Sequence, residues 1–535
     1  MTGKTTAIDS IGMAALLLVA QAAGARDAPP SHSARVPDEP ATDSCESRSG
    51  WKQSYDAGYV DPGGRYAGGS EIMHLVPHGG KLFAANGYWM DPRWSNRPYP
   101  RRRSTQVLRL DAPQAEWRVD LDTTPPGTEG PRYMKGNILK SVTFTRDGSG
   151  RLLPEPKKLL ILAAGSHPGG DRGLVSCWAR DDRTGRWAHQ VVLRGSRSGG
   201  SRWVPRDMQV YRDRVTGGER LFLLLGNPGI ISGVYDHTVP TGIRWDDDVE
   251  FPATGSLPIR PLGMVEANGS LLLSAGSVIY RRVDGPRPRY VEVFDMADAD
   301  NGGSNVNADL GGIRGMTTIP NPDGPSESIL FTWIPRGRAA GQIIRLDPEG
   351  VGDGIVDRYA RHVEANLRDL MQEALGVEVL GVLGGYNAFC PVEDPATGQT
   401  LHLIGFQGRL AERDQWLWKP SRYYAGAMYA VRHPDARYTV HQVNGPYRPG
   451  KPALVAPRTF AYSPFGQQRL FVGGHDANFK PSDATAWVYR APLDAALGRS
   501  HPVTPTALPQ HPARRETQIL KSETQNLIDR LVRST

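Results

Sequence analysis

Arginine recurs at a fixed place in a short phrase that appears seven times in the sequence. The phrase reads GIRGMTTIP at 312–320; its third position is polar and its fifth is large and apolar. The third positions hold Glu71, Asn137, Arg206, Arg260, Arg314, Asn387 and Arg458, and the fifth hold Met73, Leu139, Met208, Leu262, Met316, Phe389 and Phe460. Arginine binds oxyanions through paired hydrogen bonds. Four converging arginines would hold an anion, although each could instead bond the carbonyl groups of a neighbouring strand.

A second apolar run follows each phrase, and several runs end in side chains that can transfer protons or contact a sugar. Tyr88, His167 and His475 are candidate general acids or bases, a role that typically contributes about 10²- to 10⁴-fold in rate. Other side chains at the ends of these runs, which could contact a sugar, are Trp89, Trp333 and Gln407. We therefore expect anion-binding and proton-transfer groups at the same end of the repeats.

Each repeat also contains the strands that would position these residues. The third strand usually carries a basic residue, as in QIIRLDP, and a fourth strand follows in most repeats, as in YVEVFDM. Four strands in each of seven repeats predict an all-β fold, a seven-bladed β-propeller. The first strand of every blade lines the axis in this architecture, so the third positions would surround the mouth of the channel.

The last repeat lacks a clear fourth strand. Because a propeller has to cover its open strand edges, we expect the segment at 50–60, GWKQSYDAGYV, to close the ring as the outer strand of the last blade. The pattern at 363–376, VEANLRDLMQEALG, predicts a short inserted helix.

The remaining segments lie outside the ring. The predicted order is a signal peptide at 1–25, a flexible linker at 26–48, the propeller at 49–497 and a tail with an amphipathic helix at 498–535. We therefore expect a secreted or periplasmic protein with no membrane segment after signal cleavage.

Composition narrows the class of partner. The chain has 535 residues and a net charge of +7, a mild bias that favours an anionic partner but does not require nucleic acid. Its 3 cysteines are too few for a disulfide framework. The sequence contains no GxSxG, HExxH or P-loop motif, so those catalytic classes have no support from motifs.

One acidic loop has roughly the spacing of a calcium site. Asp298, Asp300 and Asp309 fall near ligand positions, but the loop lacks an oxygen ligand at position five and ends in Asp where Glu is needed. An Asn/Gly turn is favoured over a structural Ca²⁺ site, and we expect no required cofactor. A copper-radical site remains a further alternative, because Cys390 lies near Tyr386 in the first strand of repeat six.

Long loops follow the second strands of repeats one, six and seven, which become neighbours if the ring closes. They carry many aromatic and basic side chains, among them Trp94, Trp416, Trp418 and the run 101–103. Aromatic rings stack on sugar faces and arginines hold carboxylates, so these loops would suit an acidic sugar chain. The alternative is that the aromatic residues pack the loops onto the body of the protein.

In layout, the blade pattern over 50–495 resembles the secreted β-propeller polysaccharide lyases that cleave uronic-acid chains, such as ulvan and oligogalacturonate lyases. The resemblance implies β-elimination from an acidic poly- or oligosaccharide. The catalytic candidates are then His167, His475, Tyr88, Arg314 and Arg260. The substrate-binding candidates are Arg206, Arg458, Asn137, Asn387, Glu71, Trp89, Trp333, Gln407, Trp416 and Trp418.

Two other functions use the same residues. A glycoside hydrolase needs a pair of carboxylic acids, for which Glu71, Asp207 and Asp476 are the candidates. A non-catalytic propeller would bind a glycan or a protein at the same mouth without turning it over, and fold alone does not separate these roles.

Overall fold

The computed structural model describes residues 50–91, 103–124, 133–166, 173–194, 204–226, 229–251, 261–296, 312–334, 341–350, 355–385, 387–410, 423–424, 426–443, 454–466, 468–476 and 483–499. These residues confirm the all-β class, because they form successive antiparallel sheets, most of them four-stranded. The predicted signal peptide and linker, and nearly all of the predicted tail, lie outside them.

The first described strand belongs to the last repeat. β1 (Lys52–Asp56) precedes a small hairpin of β2 (Tyr59–Val60) and β3 (Tyr66–Ala67). β1 pairs antiparallel with the third strand of repeat seven, with Lys52 opposite Arg490. It therefore occupies the outer position that we predicted for the N-terminal segment.

Repeats one to four each contribute four antiparallel strands that pair in sequence order. Repeat one contains β4 (Glu71–His78), β5 (Lys81–Gly87), β6 (Gln106–Leu110) and β7 (Arg118–Asp122). Repeat two contains β8 (Ile138–Arg146), β9 (Leu152–Gly165), β10 (Leu174–Asp181) and β11 (Arg186–Arg194). Repeat three contains β12 (Asp207–Arg212), β13 (Glu219–Leu224), β14 (Ile230–Tyr235) and β15 (Ile243–Trp245). Repeat four contains β16 (Pro261–Ala267), β17 (Ser270–Ala275), β18 (Val278–Val283) and β19 (Arg289–Asp295).

Repeats five to seven carry additions to this plan. Repeat five contains β20 (Gly312–Pro320), β21 (Glu327–Ile334), β22 (Gln342–Pro348) and β23 (Tyr359–Asn366), followed by α1 (Leu367–Leu375). Repeat six contains β24 (Val379–Gly384), β25 (Cys390–Glu393), β26 (Thr400–Leu410), β27 (Met428–Arg432) and β28 (Tyr438–Gln442). Repeat seven contains β29 (Ala456–Tyr462), β30 (Arg469–His475) and β31 (Ala486–Pro492), followed by α2 (Leu493–Ala496). In repeat six both β24 and β25 pair with β26.

The predicted inserted helix is shorter than its pattern. Residues 363–366 belong to β23, and α1 begins only at Leu367. The side chain of Asn366 caps the helix by accepting a hydrogen bond from the backbone N–H of Arg368 at 3.0 Å. Gly376 ends the helix in a left-handed conformation with φ 66°, which glycine adopts without strain. No helix in the described part of the chain is both long and apolar enough to span a membrane.

The core consists of apolar layers between successive repeats. Among the described residues, one large cluster lies between each repeat and the next, and another lies between repeats seven and one. In that last cluster Leu75 and Leu82 pack with Phe471 and Val488. Most second strands are buried on both faces, and all six residues of β17 are buried, because a sheet lies on each side of them. The N-terminal half of β9 is more exposed.

The basic residue that recurs on the third strands forms ion pairs between neighbouring repeats. In several repeats an arginine donates hydrogen bonds to a carboxylate of the preceding repeat. The pairs are Arg180–Asp120, Arg282–Asp213 and Arg432–Glu364. The six side chains are between 2% and 6% exposed, so this part of the basic pattern has a structural role.

Several first strands contain a β-bulge within the recurring phrase. Register shifts lie between Ile72 and His74, Pro261 and Gly263, Arg314 and Thr317, and Pro457 and Thr459. A bulge sets two residues opposite one and redirects the side chains around it. Simple alternation along the strand therefore fails at the positions that carry the candidate chemistry.

Candidate functional site

Glu71 lies at the junction of repeats one and seven. It begins β4, and it pairs with Gly87 at the end of β5 and with His475 at the end of β30. Its side chain is 2% exposed. The ends of three strands therefore hold this carboxylate at the end of the sheets where the recurring phrase begins.

Two basic side chains share one oxygen of Glu71. Arg458 donates from Nη1 to Oε1 at 2.8 Å, and Nδ1 of His475 lies 3.2 Å from the same oxygen. Burial alone would raise the pKa of Glu71, but Arg458 and His475 outweigh burial and hold this pKa far below its usual range. The site thus contains a carboxylate that is ionised at neutral pH.

An aromatic ring and a second permanent cation adjoin this group. The ring of Trp89 meets the imidazole of His475 edge-on, with centroids 5.7 Å apart and planes at 77°. Nζ of Lys135 lies 5.6 Å from the centroid of the Trp89 ring, and Lys135 also contributes to the low pKa of Glu71. One carboxylate therefore stands beside two cations and a histidine.

Repeat six approaches the same region through the end of β26. A Cβ built on Gly405 would lie 2.2 Å from the carbonyl oxygen of Pro457 in β29, so this position requires glycine. Two residues further on, Gln407 is 5% exposed and hydrogen-bonds to Tyr423. Tyr423 packs against Val455, next to the start of β29. These contacts hold the end of β26 close to the start of β29.

The two third-position asparagines bond the backbone. Nδ2 of Asn387 donates to the carbonyl oxygen of Met73 at 2.9 Å, which links repeat six to repeat one. Oδ1 of Asn137 accepts from the N–H of Gly165 at 3.2 Å. These contacts stabilise the end of the sheets, and the substrate-binding role of both residues stays a prediction.

The remaining described third-position arginines lie in other repeats. Arg314 is 6% exposed and Arg206 is half-buried. Asp207 accepts a hydrogen bond from the N–H of Met264 at 2.9 Å and lies 3.7 Å from Nζ of Lys140. Its carboxylate thus joins repeats two, three and four.

Two predicted site residues are interior. Tyr88 is 0% exposed and donates from its hydroxyl to Oε1 of Gln106 at 2.9 Å, and burial raises its pKa well above the usual value. Trp333 is also 0% exposed and packs with Ile313 and Phe331 in the layer between repeats four and five. The sequence pattern put both at the ends of second apolar runs, among the candidate proton-transfer and sugar-contacting groups, and we assign a ligand contact to neither.

The sequence analysis overlooked the sixth position of the phrase, which joins successive repeats. Nε2 of His74 bonds the carbonyl oxygen of Asn137 at 2.7 Å. Oγ1 of Thr317 accepts the N–H of Phe389 at 2.8 Å. The aligned phrases already showed polar residues at this position, so the signal was present in the sequence. Lys135, the first residue of the phrase in repeat two, was overlooked as well.

Several predicted residues lie outside the described part of the chain. They are His167, Arg260, Trp416, Trp418 and the loop with Asp298, Asp300 and Asp309. Within the described residues, no group of three or more His, Cys, Asp or Glu side chains could hold a metal ion.

Comparisons with known proteins give structural neighbours but no family. No family model and no curated protein matches the chain. It is similar to a candidate 6-phosphogluconolactonase from Bacteroides fragilis NCTC 9343 at 15% identity, covering 75% of this chain and 87% of that one with a TM-score of 0.34. It is also similar to the intramolecular trans-sialidase of Ruminococcus gnavus, at 12% identity over 64% of this chain and 90% of that one, with a TM-score of 0.36. The sialidase of Trypanosoma rangeli gives 10% identity over 85% of this chain and 60% of that one, with a TM-score of 0.31. These values are too low to assign the chain to a family.

Proposed function

We propose that this protein cleaves a uronic-acid glycan by β-elimination, and that the group of Glu71, Arg458, His475, Trp89 and Lys135 is its active centre. The observation that carries the proposal is the position of His475, between an ionised carboxylate and an aromatic ring, beside two permanent cations. This arrangement would combine an anion-binding side and a proton-accepting side within one site.

The two cations beside Glu71 support an anionic substrate. Arg458 and Lys135 both lower the pKa of Glu71, so both act on negative charge at this place. A uronate carboxylate would bind beside them in a region largely shielded from water, where such contacts are strong. Neutralising this carboxylate acidifies the hydrogen on the adjacent C5 of the sugar.

His475 is the proposed base. It would take the C5 proton, the electron pair of that bond would form the C4–C5 double bond, and the C4–O4 bond would break with its electrons on O4. A proton from water or a donor group then completes the leaving hydroxyl. A positioned base typically contributes about 10²- to 10⁴-fold in rate, and oriented cations stabilise the developing charge.

The charge state of Glu71 argues against two-carboxylate hydrolysis at this site. A glycosidase needs one carboxylic acid that stays protonated at neutral pH, whereas the pKa of Glu71 is lowered. Asp207 is occupied by the backbone N–H of Met264 and by Lys140. Asp476 is 1% exposed. Glu71 and Asp207 are therefore poor candidates for the general acid of a glycosidase.

A glycan-binding module is the second candidate. Burial favours it, because the side chain of His475 is 3% exposed and that of Glu71 is 2% exposed. A group that only fixes the mouth of the protein could be buried to this extent. The two candidates differ in whether a bound glycan is cleaved.

The fold that would carry this site is a seven-bladed β-propeller closed by β1. The apolar layer between repeats seven and one and the pairing of β1 with β31 support this architecture. In it, repeats six, seven, one and two stand side by side. The polar region from Gln407 to Lys135 would then follow one arc of the mouth and suit an extended chain.

The test is to mix the purified protein with polygalacturonate, alginate and ulvan and to follow the ultraviolet absorbance of an unsaturated uronate product. We expect absorbance to rise on at least one polymer and His475→Gln to slow the reaction about 10²- to 10⁴-fold. His402→Gln is the matched control, because His402 is also buried but lies at the other end of β26 from Gln407.

The outcomes separate the two candidates. Binding of a polymer without any rise in absorbance or fall in chain length would support the binding module and reject the lyase. Shorter chains without absorbance would indicate hydrolysis. An equal loss of rate in His475→Gln and in the control would remove His475 from the mechanism.

A further inference from the structure

We infer that Glu71 is a positioning residue for His475, and that it holds the imidazole with its proton on Nδ1 so that Nε2 is the proton acceptor. This inference rests on the proposed function for its catalytic meaning. It also reassigns Glu71, which the sequence analysis placed among the substrate-binding residues.

Burial and backbone pairing make Glu71 unsuited to bind a substrate directly. Its side chain is 2% exposed, and its main chain is paired on one side with Gly87 and on the other with His475. Its oxygen Oε1 already faces Arg458 and His475. A carboxylate with these contacts can order its neighbours but has little surface left for a ligand.

The chemistry of the pair sets the tautomer. An ionised carboxylate only accepts hydrogen bonds, whereas a neutral imidazole has one donor and one acceptor nitrogen. Since Nδ1 of His475 lies 3.2 Å from Oε1 of Glu71, the proton belongs on Nδ1. The carboxylate beside one ring nitrogen thus defines the role of the other.

The ring of Trp89 helps to keep this orientation. It meets the imidazole edge-on with centroids 5.7 Å apart, so rotation of the imidazole would disturb a packed contact. The charged groups on the elements around His475 are Glu71 on β4, Arg458 on β29, Lys135 above Trp89, and Asp476 next in the chain. The carboxylate of Glu71 lies within ion-pair distance of Nδ1 of His475.

The experiment observes the ring nitrogens of His475 by NMR in the full chain labelled with ¹⁵N-histidine, at alkaline pH. His475→Gln assigns the signals. We expect wild type and Arg458→Gln to carry the proton on Nδ1. Glu71→Gln should lose this preference, because an amide can either donate to Nδ1 or accept from it.

Kinetics give the second readout on whichever polymer the wild type cleaves. Glu71→Gln should lower kcat about 10- to 100-fold, as the loss of an orienting partner typically does, and should move the acidic limb of the pH–rate profile. KM should stay within about threefold, since uniform substrate binding is not removed. A purely structural role would lower stability without moving the acidic limb.

The two readouts can fail separately. A proton on Nε2 in the wild type, or an unchanged tautomer in Glu71→Gln, overturns the positioning role whether or not the protein is a lyase. If no polymer is cleaved, the proposed function fails, while the NMR experiment still decides the role of Glu71. If Glu71→Gln does not fold, loss of the Nδ1 tautomer in Arg458→Gln would overturn the inference, because that variant keeps the carboxylate.

Discussion

Glu364 should be among the most important residues for stability, and Glu364→Gln tests this. Its carboxylate, 2% exposed, accepts hydrogen bonds from Nε and Nη2 of Arg432 at 2.7 and 2.8 Å, Nη1 of Arg345 at 3.0 Å and the hydroxyl of Tyr438 at 2.6 Å. Arg345 belongs to repeat five and Arg432 to repeat six. The substitution removes the counter-charge of the largely buried Arg432, while Arg345 keeps its ion pair with Asp347. Breaking a buried ion pair in this way typically costs about 3–5 kcal/mol.

The expected change in melting temperature follows from the size of the folded unit. Gly50 to Arg499 spans 499 − 49 = 450 residues, and an unfolding entropy of about 2.1 cal/mol/K per residue gives about 0.9 kcal/mol/K. A loss of about 3–5 kcal/mol therefore lowers the Tm by about 3–5 °C if the sheets unfold together. Calorimetry of wild type and variant at pH 7 measures this shift.

The pH dependence gives a sharper criterion. Burial disfavours the ionised form of Glu364, but Arg432 and Tyr438 outweigh it and hold its pKa below the usual value. The stability from this group is therefore complete above the unfolded pKa of about 4.3 and is lost as pH falls through the folded value. The difference between wild type and Glu364→Gln should shrink in acid. Glu393→Gln, an exposed control on β25, should leave the Tm unchanged, and a Tm loss below about 1 °C for Glu364→Gln would refute the argument.

Two further predictions concern acid stability and the role of tryptophan. Burial would raise the pKa of Asp213, but hydrogen bonds from the backbone of Thr216 and from Arg282 lower it to about 2. Asp213→Asn should therefore destabilise the protein at pH 7, and chemical denaturation should show that the stability difference from wild type fades between about pH 4 and pH 2. A stability difference that stays constant over this range would contradict the assignment. Trp333→Ala should cost about 3–5 kcal/mol of stability, measured by calorimetry, because the ring is wholly buried. Trp89→Ala should weaken polyuronate binding, measured by titration, with a smaller effect on stability. If Trp333→Ala folded normally but lost polyuronate binding, our assignment of Trp333 to the interior would be wrong.

The sequence by itself determined the strands and most of their order. Each repeat contains the same local patterns, namely the repeated phrase, the second apolar run and the basic third strand. These patterns can be recognised in the sequence because they reflect the burial of each strand between two sheets. The N-terminal outer strand also followed from the missing fourth strand of repeat seven. One exception was β23, which the helical spacing of 363–376 concealed because a strand and a helix share that segment. The additional strand of repeat six and the β2–β3 hairpin were not predicted either.

Only the tertiary structure decided which polar residues meet. Glu71, Arg458 and His475 are separated by up to 404 residues in sequence, from 71 to 475, and come together because β4 and β30 pair at one position. The β-bulges redirect side chains within the phrase, and burial places Tyr88 and Trp333 in the interior although their spacing matches that of His475. Residue type and spacing therefore identified the candidates, whereas charge compensation and packing between repeats selected among them, because both depend on contacts that no single repeat contains.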